Sequence, residues 1–103
     1  MASRSWRRGC GSGGQRERID LGHGVSVEFC VNADGVECGL IEYHDCKGDF
    51  DTGHWVGFRG TSGSEEHPSW VVEKREPLTL SPSVLCRSCG LHGFIRDGWW
   101  VPA

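Results

Sequence analysis

From residue 19 onward the apolar positions fall in short runs that repeat every second residue, the period of a strand. Val25, Val27 and Phe29 alternate with Ser26 and Glu28, which predicts a strand buried on one face. Asn32-Ala33-Asp34-Gly35 reads as a hairpin turn, with Gly35 or Asn32 available for positive φ. Residues 36–43 are then the return strand. His54 to Phe58 is a further strand carrying Trp55. Arg59 to Ser69 is polar and Gly/Ser-rich, a loop without core character that places His67 in solvent. Trp70 and Val72 alternate against Val71 and Glu73 in the next strand, which Glu76-Pro77 breaks. Leu78 to Leu80 is short and extended, and Ser81-Pro82-Ser83 turns the chain. Residues 93–96 and 99–101 form a last hairpin around Asp97-Gly98, a pair suited to a two-residue turn, and Pro102 stops it. No window has helical periodicity. The expected fold is a small, mostly β, antiparallel single domain whose folded body starts near Ile19 and runs to Ala103.

Composition narrows this picture. The 103 residues include 16 Gly, five Trp, six Cys and five His. A chain of this length buries a modest core, and a metal staple would help it. The tryptophans supply bulky apolar area where aliphatic content is low. No stretch approaches membrane-span length and no signal-peptide core is present, so a reducing, cytoplasmic setting is expected. There the cysteines serve as metal ligands or free thiols, not as a disulfide framework.

Charge divides the chain. Residues 1–18 carry five Arg and one acid; at +4 against a total of −3, they leave −7 on the remaining 85 residues. The first 18 residues, which lack periodicity, read as a disordered basic arm. Cys10 in that arm is a poor ligand candidate. An acidic body opposes nucleic-acid binding, and no membrane partner is indicated.

The chemistry concentrates at Cys86-Arg87-Ser88-Cys89-Gly90. Two thiolates at C-x-x-C spacing grip one tetrahedral zinc from a tight turn, and the Gly after them permits the positive φ that such a turn needs. A redox pair would open a helix, which Gly90 and Gly93 disfavour. His44 and Cys46, two residues apart at a strand end, are the candidates for the other half of the site, because alternation places both on one face. His54 is an alternative to His44, and Cys30 and Cys38, flanking the first turn, are either further ligands or buried thiols. The expected structural Zn²⁺ ligands are His44, Cys46, Cys86 and Cys89. Ser83 and His92 flank the knuckle nine residues apart. A Ser hydroxyl needs a base to become a nucleophile, and imidazole suits that task. Asp97 is explained by its turn. His92 is alternatively a zinc ligand of a C-x-x-C-x-x-H set in a zinc-dependent hydrolase, and the whole knuckle is alternatively a non-enzymatic protein-binding module.

The order of these residues resembles a known family. Thr79–Ser83 (TLSPS), then a Cys, then His92–Gly98 (HGFIRDG) is similar to short phage and bacterial proteins with a T/S-x-[ST]-P-S motif and a Cys close before H-x-F-[IV]-x-[DN]-G. That family includes the BubE-type serine proteases of bacterial ubiquitination-like operons. The likeness is specific from about Thr79 to Trp99, weak over 36–58 and absent over 1–18. It implies that Ser83 is the nucleophile, His92 its base and Cys89 the nearby family cysteine, with a peptide or isopeptide bond to a ubiquitin-like protein as substrate. A run such as C-P-x-C, frequent upstream in the family, is replaced here by His44-Asp45-Cys46. A backbone carbonyl or Asp45 is the expected orienting group for His92, with backbone amides of the Ser-Pro-Ser turn or the knuckle as the oxyanion site.

Overall fold

The computed structural model describes residues 17–64 and 69–103. Apart from Glu17 and Arg18, the predicted basic arm with Cys10 lies outside the described residues, as does His67. Among these residues nine strands follow in order: β1 Ile19–Gly22, β2 Val25–Val31, β3 Glu37–Tyr43, β4 Gly53–Phe58, β5 Ser69–Lys74, β6 Thr79–Ser81, β7 Val84–Leu85, β8 His92–Arg96 and β9 Trp99–Pro102. No α-helix occurs among the described residues, and no helix there is long and apolar enough to cross a membrane. β1 to β6 form one sheet in sequence order, and β7-β8-β9 form a second. Pairing is antiparallel throughout except between β4 and β5, which run parallel over Gly57–Ser69 and Phe58–Trp70.

The predicted turns form as their chemistry dictates. Asn32 Oδ1 accepts from the amides of Asp34 and Val36 at 2.9 and 3.0 Å, and Gly35 takes φ 81°. Asp97 and Gly98 both take positive φ, 51° and 82°, the geometry of a two-residue hairpin turn with matching twist. Lys47 and Gly48 do the same, at 55° and 90°, so the chain after Cys46 makes a tight turn that closes by paired Cys46–Asp49 backbone bonds. Pro102 belongs to β9 and does not end it. It sits opposite Gly93 on an edge strand, where the missing N–H leaves no ladder bond unmade.

Ile19, Leu21, Val25, Val27, Phe29, Leu40, Val56 and Phe58 from the large sheet share one core with Val84, Ile95 and Trp100 from the small one. The alternation along β2 is as expected, but the strand's polar face is covered too: Glu28 is buried and accepts a hydrogen bond from the Tyr43 hydroxyl. The tryptophans divide. Trp100 is 2% exposed and central, Trp70 packs on the core's margin, and Trp55 and Trp99 are 41% and 62% exposed. Trp100 lies flat across Gly93 of the neighbouring strand. A Cβ on Gly93 would stand 2.5 Å from two indole carbons, and the ring, buried all round, has nowhere to go. Gly93→Ala is therefore expected to destabilise the domain by about 1–3 kcal/mol, the usual cost of overpacking. Thermal unfolding checks this as a lowering of Tm by about 4–8 °C per kcal/mol.

Candidate active site and metal centre

β7 and β8 make a hairpin whose loop is the C-x-x-C-G knuckle. The Cys86 amide donates to Leu91 O and the Gly90 amide to Cys86 O, each at 2.8 Å, and Gly90 takes φ 88°. This closure fixes the register: Val84 opposite Gly93, Leu85 opposite His92. Side chains alternate across a strand, so Val84, Gly93 and Ile95 face the core while Ser83, Leu85, His92 and Phe94 share the outer face. Ser83 and His92 are then diagonal neighbours, and His92 Nε2 lies 2.8 Å from Ser83 Oγ. The Trp70 indole N–H donates to Ser83 O at 3.2 Å and anchors the backbone that carries the hydroxyl. Among the described residues, Ser83 is the hydrogen-bond partner of the His92 ring. Asp45 does not serve as the expected orienting acid: its carboxylate accepts the Gly48 amide at 2.7 Å and closes its own turn. Asp97 pairs with Lys74, consistent with a turn role.

A second constellation lies behind the knuckle. His44, Cys46, His54 and Cys86 each bring one ligand atom within 4.8 Å of the others. Cys89 Sγ adds a fifth donor, 3.2 Å from His44 Nε2. The geometry suits a tetrahedral ion. Metal–thiolate bonds of about 2.3 Å give tetrahedral S–S edges of about 3.8 Å, and Cys46 Sγ and Cys86 Sγ are 3.8 Å apart. Alternation along β3 places Leu40, Glu42 and His44 on the core face, and His54 faces Glu42 from β4. Glu42, 1% exposed, sits 2.6 Å from His44 Nδ1. A carboxylate on that nitrogen leaves Nε2 turned to the thiols, the usual arrangement of a ligating imidazole. Such an ion would tie β3 and its following turn to the β7–β8 hairpin, joining the two sheets.

Five donors compete for four positions. A metal bound by an imidazole lies in the plane of the ring. His44 and His54 are stacked nearly parallel, centroids 4.6 Å apart and 12° between planes, so both rings cannot hold one ion in this arrangement. His44 is the one aimed at the thiols. His54 Nε2 is buried without a hydrogen-bond partner.

Electrostatics agree with a cationic occupant. Burial lowers the His44 pKa, but the Glu42 and thiol hydrogen bonds outweigh it and lift it from 6.5 to about 9. Burial raises the Cys86 thiol, yet the Cys89 and Ser88 amides and the neighbouring thiols draw it down from 9.0 to about 7. Cys46, lacking such amides, is pushed up, chiefly by burial. A pocket that holds a protonated imidazole against an emerging thiolate is one where a divalent ion would replace protons.

The structure thus brings Ser83 together with His92, and His44, Cys46, Cys86 and Cys89 together with the alternative His54, in two adjoining groups. Cys38 is elsewhere, its Sγ 3.8 Å from Cys30 O, and neither Cys30 nor Cys38 joins the metal-capable group. Nor does His92, which faces Ser83 and not the thiols. Sequence reasoning missed Glu42 and Trp70. An acid two residues before a candidate ligand on the same strand face is the signal for Glu42; nothing local marks Trp70.

Residues 28–103 match the family described as BubE, bacterial ubiquitination-like system serine protease. No curated protein and no solved structure matches the chain.

Proposed function

We infer this chain's chemistry from one premise: it belongs to the BubE family of serine proteases of bacterial ubiquitination-like systems. Within that family role we propose that Ser83 is the nucleophile and His92 its general base. The observation that carries the reading is the 2.8 Å contact between His92 Nε2 and Ser83 Oγ on an open, solvent-facing surface. His92 takes the hydroxyl proton as Ser83 attacks a carbonyl carbon, and the tetrahedral species collapses to an acyl-enzyme as the C–N bond breaks. The departing amine takes the proton from His92. Water, deprotonated by the same imidazole, then cleaves the ester and regenerates Ser83.

The metal we assign is a structural Zn²⁺ held by His44, Cys46, Cys86 and Cys89. Bound there it supplies cross-linking, fixing the hairpin that brings Ser83 to His92. His54 stacks on the His44 ring. Metal content by elemental analysis tests the choice of ligands: Cys89→Ser is expected to lose the ion and His54→Ala to retain it, and the reverse outcome would exchange the two. Loading is expected to depend on pH with a definite sign. Zinc takes neutral imidazole and thiolate, so below about 7 it must displace protons from both His44 and Cys86. Between about 7 and about 9 the His44 proton alone of these two remains. Apparent affinity should therefore climb as pH rises through that window, with proton release, read by chelator competition at several pH values.

For the substrate we propose a peptide or isopeptide bond at the C-terminal tail of a ubiquitin-like protein. A fusion of such a protein through its tail to a reporter tests this. Release of the reporter at the tail junction, blocked by a serine-directed inhibitor, is expected. Cleavage elsewhere, or cleavage indifferent to the inhibitor, would overturn the reading.

A further inference from the structure

The face that carries Ser83 and His92 continues into a groove. β7 pairs with the start of β8. Beyond Ser83 the chain still follows β8: Gly98 N donates to Leu78 O and Asp97 N to Thr79 Oγ1, both at 2.9 Å. Between these two attachments β6 and β8 lack a hydrogen-bonded ladder. There a groove of about 370 Å³ opens, with Thr79, Ser81 and Pro82 on one wall and Phe94 and Arg96 on the other. Alternation makes the second wall a row. His92, Phe94 and Arg96 share one face of β8 while Gly93 and Ile95 point to the core. The His92 and Phe94 ring centroids are 6.4 Å apart, and the Arg96 guanidinium folds back over Phe94, 4.3 Å from its centroid. A cation thus hangs over an aromatic floor one side chain away from the catalytic imidazole.

The charges of this groove are not equivalent. Lys74 is held by Asp97 at the end remote from Ser83, and Glu73 lines the wall beside it. Arg96 pairs with no carboxylate among the described residues. A guanidinium held over a ring by its central carbon keeps N–H groups for the fork that binds a carboxylate in two parallel hydrogen bonds. The spacings from His92 to Phe94 and from Phe94 to the guanidinium, 6.4 and 4.3 Å, bound how far that carboxylate lies from the catalytic pair. An extended chain advances about 3.3 Å per residue, so a group meeting the guanidinium lies within about three residues of a carbonyl at Ser83.

We propose that this groove is the recognition site for the substrate's extended segment, and that Arg96 selects an Asp or Glu about three residues from the scissile bond, with the segment between lying over Phe94. The proposal rests on the Ser83–His92 reading above. The floor favours flat or aliphatic contact, and the charge decides among chains that fit.

The test is cleavage of a mixed peptide library, with products sequenced by mass spectrometry for the wild type, Arg96→Gln and Arg96→Glu, each verified as folded by circular dichroism. Preference is a ratio among peptides within one variant, so it does not depend on each variant's absolute rate. The wild type is expected to favour an acid over the matching amide by roughly three- to tenfold at a position two to four residues from the cleaved bond, the range of a partly exposed charged pair. Arg96→Gln is expected to lose that preference and Arg96→Glu to turn it toward Lys or Arg. An unchanged preference in the two variants, no acid preference in the wild type, or no peptide cleaved by a wild type whose Ser83 reacts with a fluorophosphonate would each overturn the groove while leaving the serine in place. A wild type that neither labels nor cleaves would overturn both.

Discussion

Ser83→Ala is expected to lower turnover by about 10⁴–10⁶-fold, and His92→Ala by a comparable factor, while metal content and thermal stability stay at wild-type values. Nucleophile and base act as one unit in such a pair, so removing either leaves what binding and electrostatic stabilisation supply alone. At 1.36 kcal/mol per decade that loss is about 5–8 kcal/mol of barrier. The structural cost is small because both side chains are on the outer face of the β7–β8 hairpin. Their neighbours Val84, Gly93 and Ile95 do the packing. The double variant should be no worse than either single one, since neither group activates anything without the other. Steady-state kinetics on the cleaved fusion read the loss, and additive losses in the double variant would contradict a shared role.

The second large effect is on folding. Cys86→Ala or Cys46→Ala is expected to leave the chain largely unfolded, and chelation of the wild type to do the same. Structural zinc contributes about 10–16 kcal/mol of apparent folding free energy in small domains at neutral pH. A domain of this size has about 5–15 kcal/mol in total, so the ion's loss is comparable to everything the core provides. The two residues belong to separate parts of the chain, one after β3 and one after β7, so an ion held by both would link the two sheets. Without it, the Glu42 carboxylate, 1% exposed, is balanced chiefly by a protonated His44, and a buried ion pair offsets its own desolvation poorly. Circular dichroism and near-ultraviolet tryptophan signals against added chelator check this. A chain that stays folded after the metal is stripped would contradict it.

Much of the fold is legible in the sequence. Period-two runs locate the strands, and Asn32–Gly35 and Asp97-Gly98 locate two of the hairpins through residues able to take positive φ. The parallel β4–β5 pairing is not legible, because the Gly/Ser-rich connection between them has no local preference that dictates strand direction. The buried second face of β2 is hidden for a related reason: Glu28 looks solvent-facing until Tyr43 arrives from the neighbouring strand to satisfy it. The candidate metal donors are visible as residue types, but spacing along the chain does not say which of His44 and His54 points its ring plane at the thiols. That depends on Glu42, whose carboxylate reads in sequence as an ordinary polar position. Ser83 and His92, nine residues apart, become neighbours only once the knuckle is known to be a hairpin loop with Val84 opposite Gly93.

The proposal is an activated serine on a metal-stapled hairpin. Its most direct measurement is reaction of the purified protein with a fluorophosphonate probe, the adduct located by peptide mapping, with zinc measured in the same samples of wild type, Ser83→Ala and His92→Ala. One adduct is expected, on Ser83, absent in both variants, with equal zinc in all three. A folded, zinc-loaded wild type that takes no label, a Ser83 adduct that persists in His92→Ala, or zinc lost on removing His92 would contradict it.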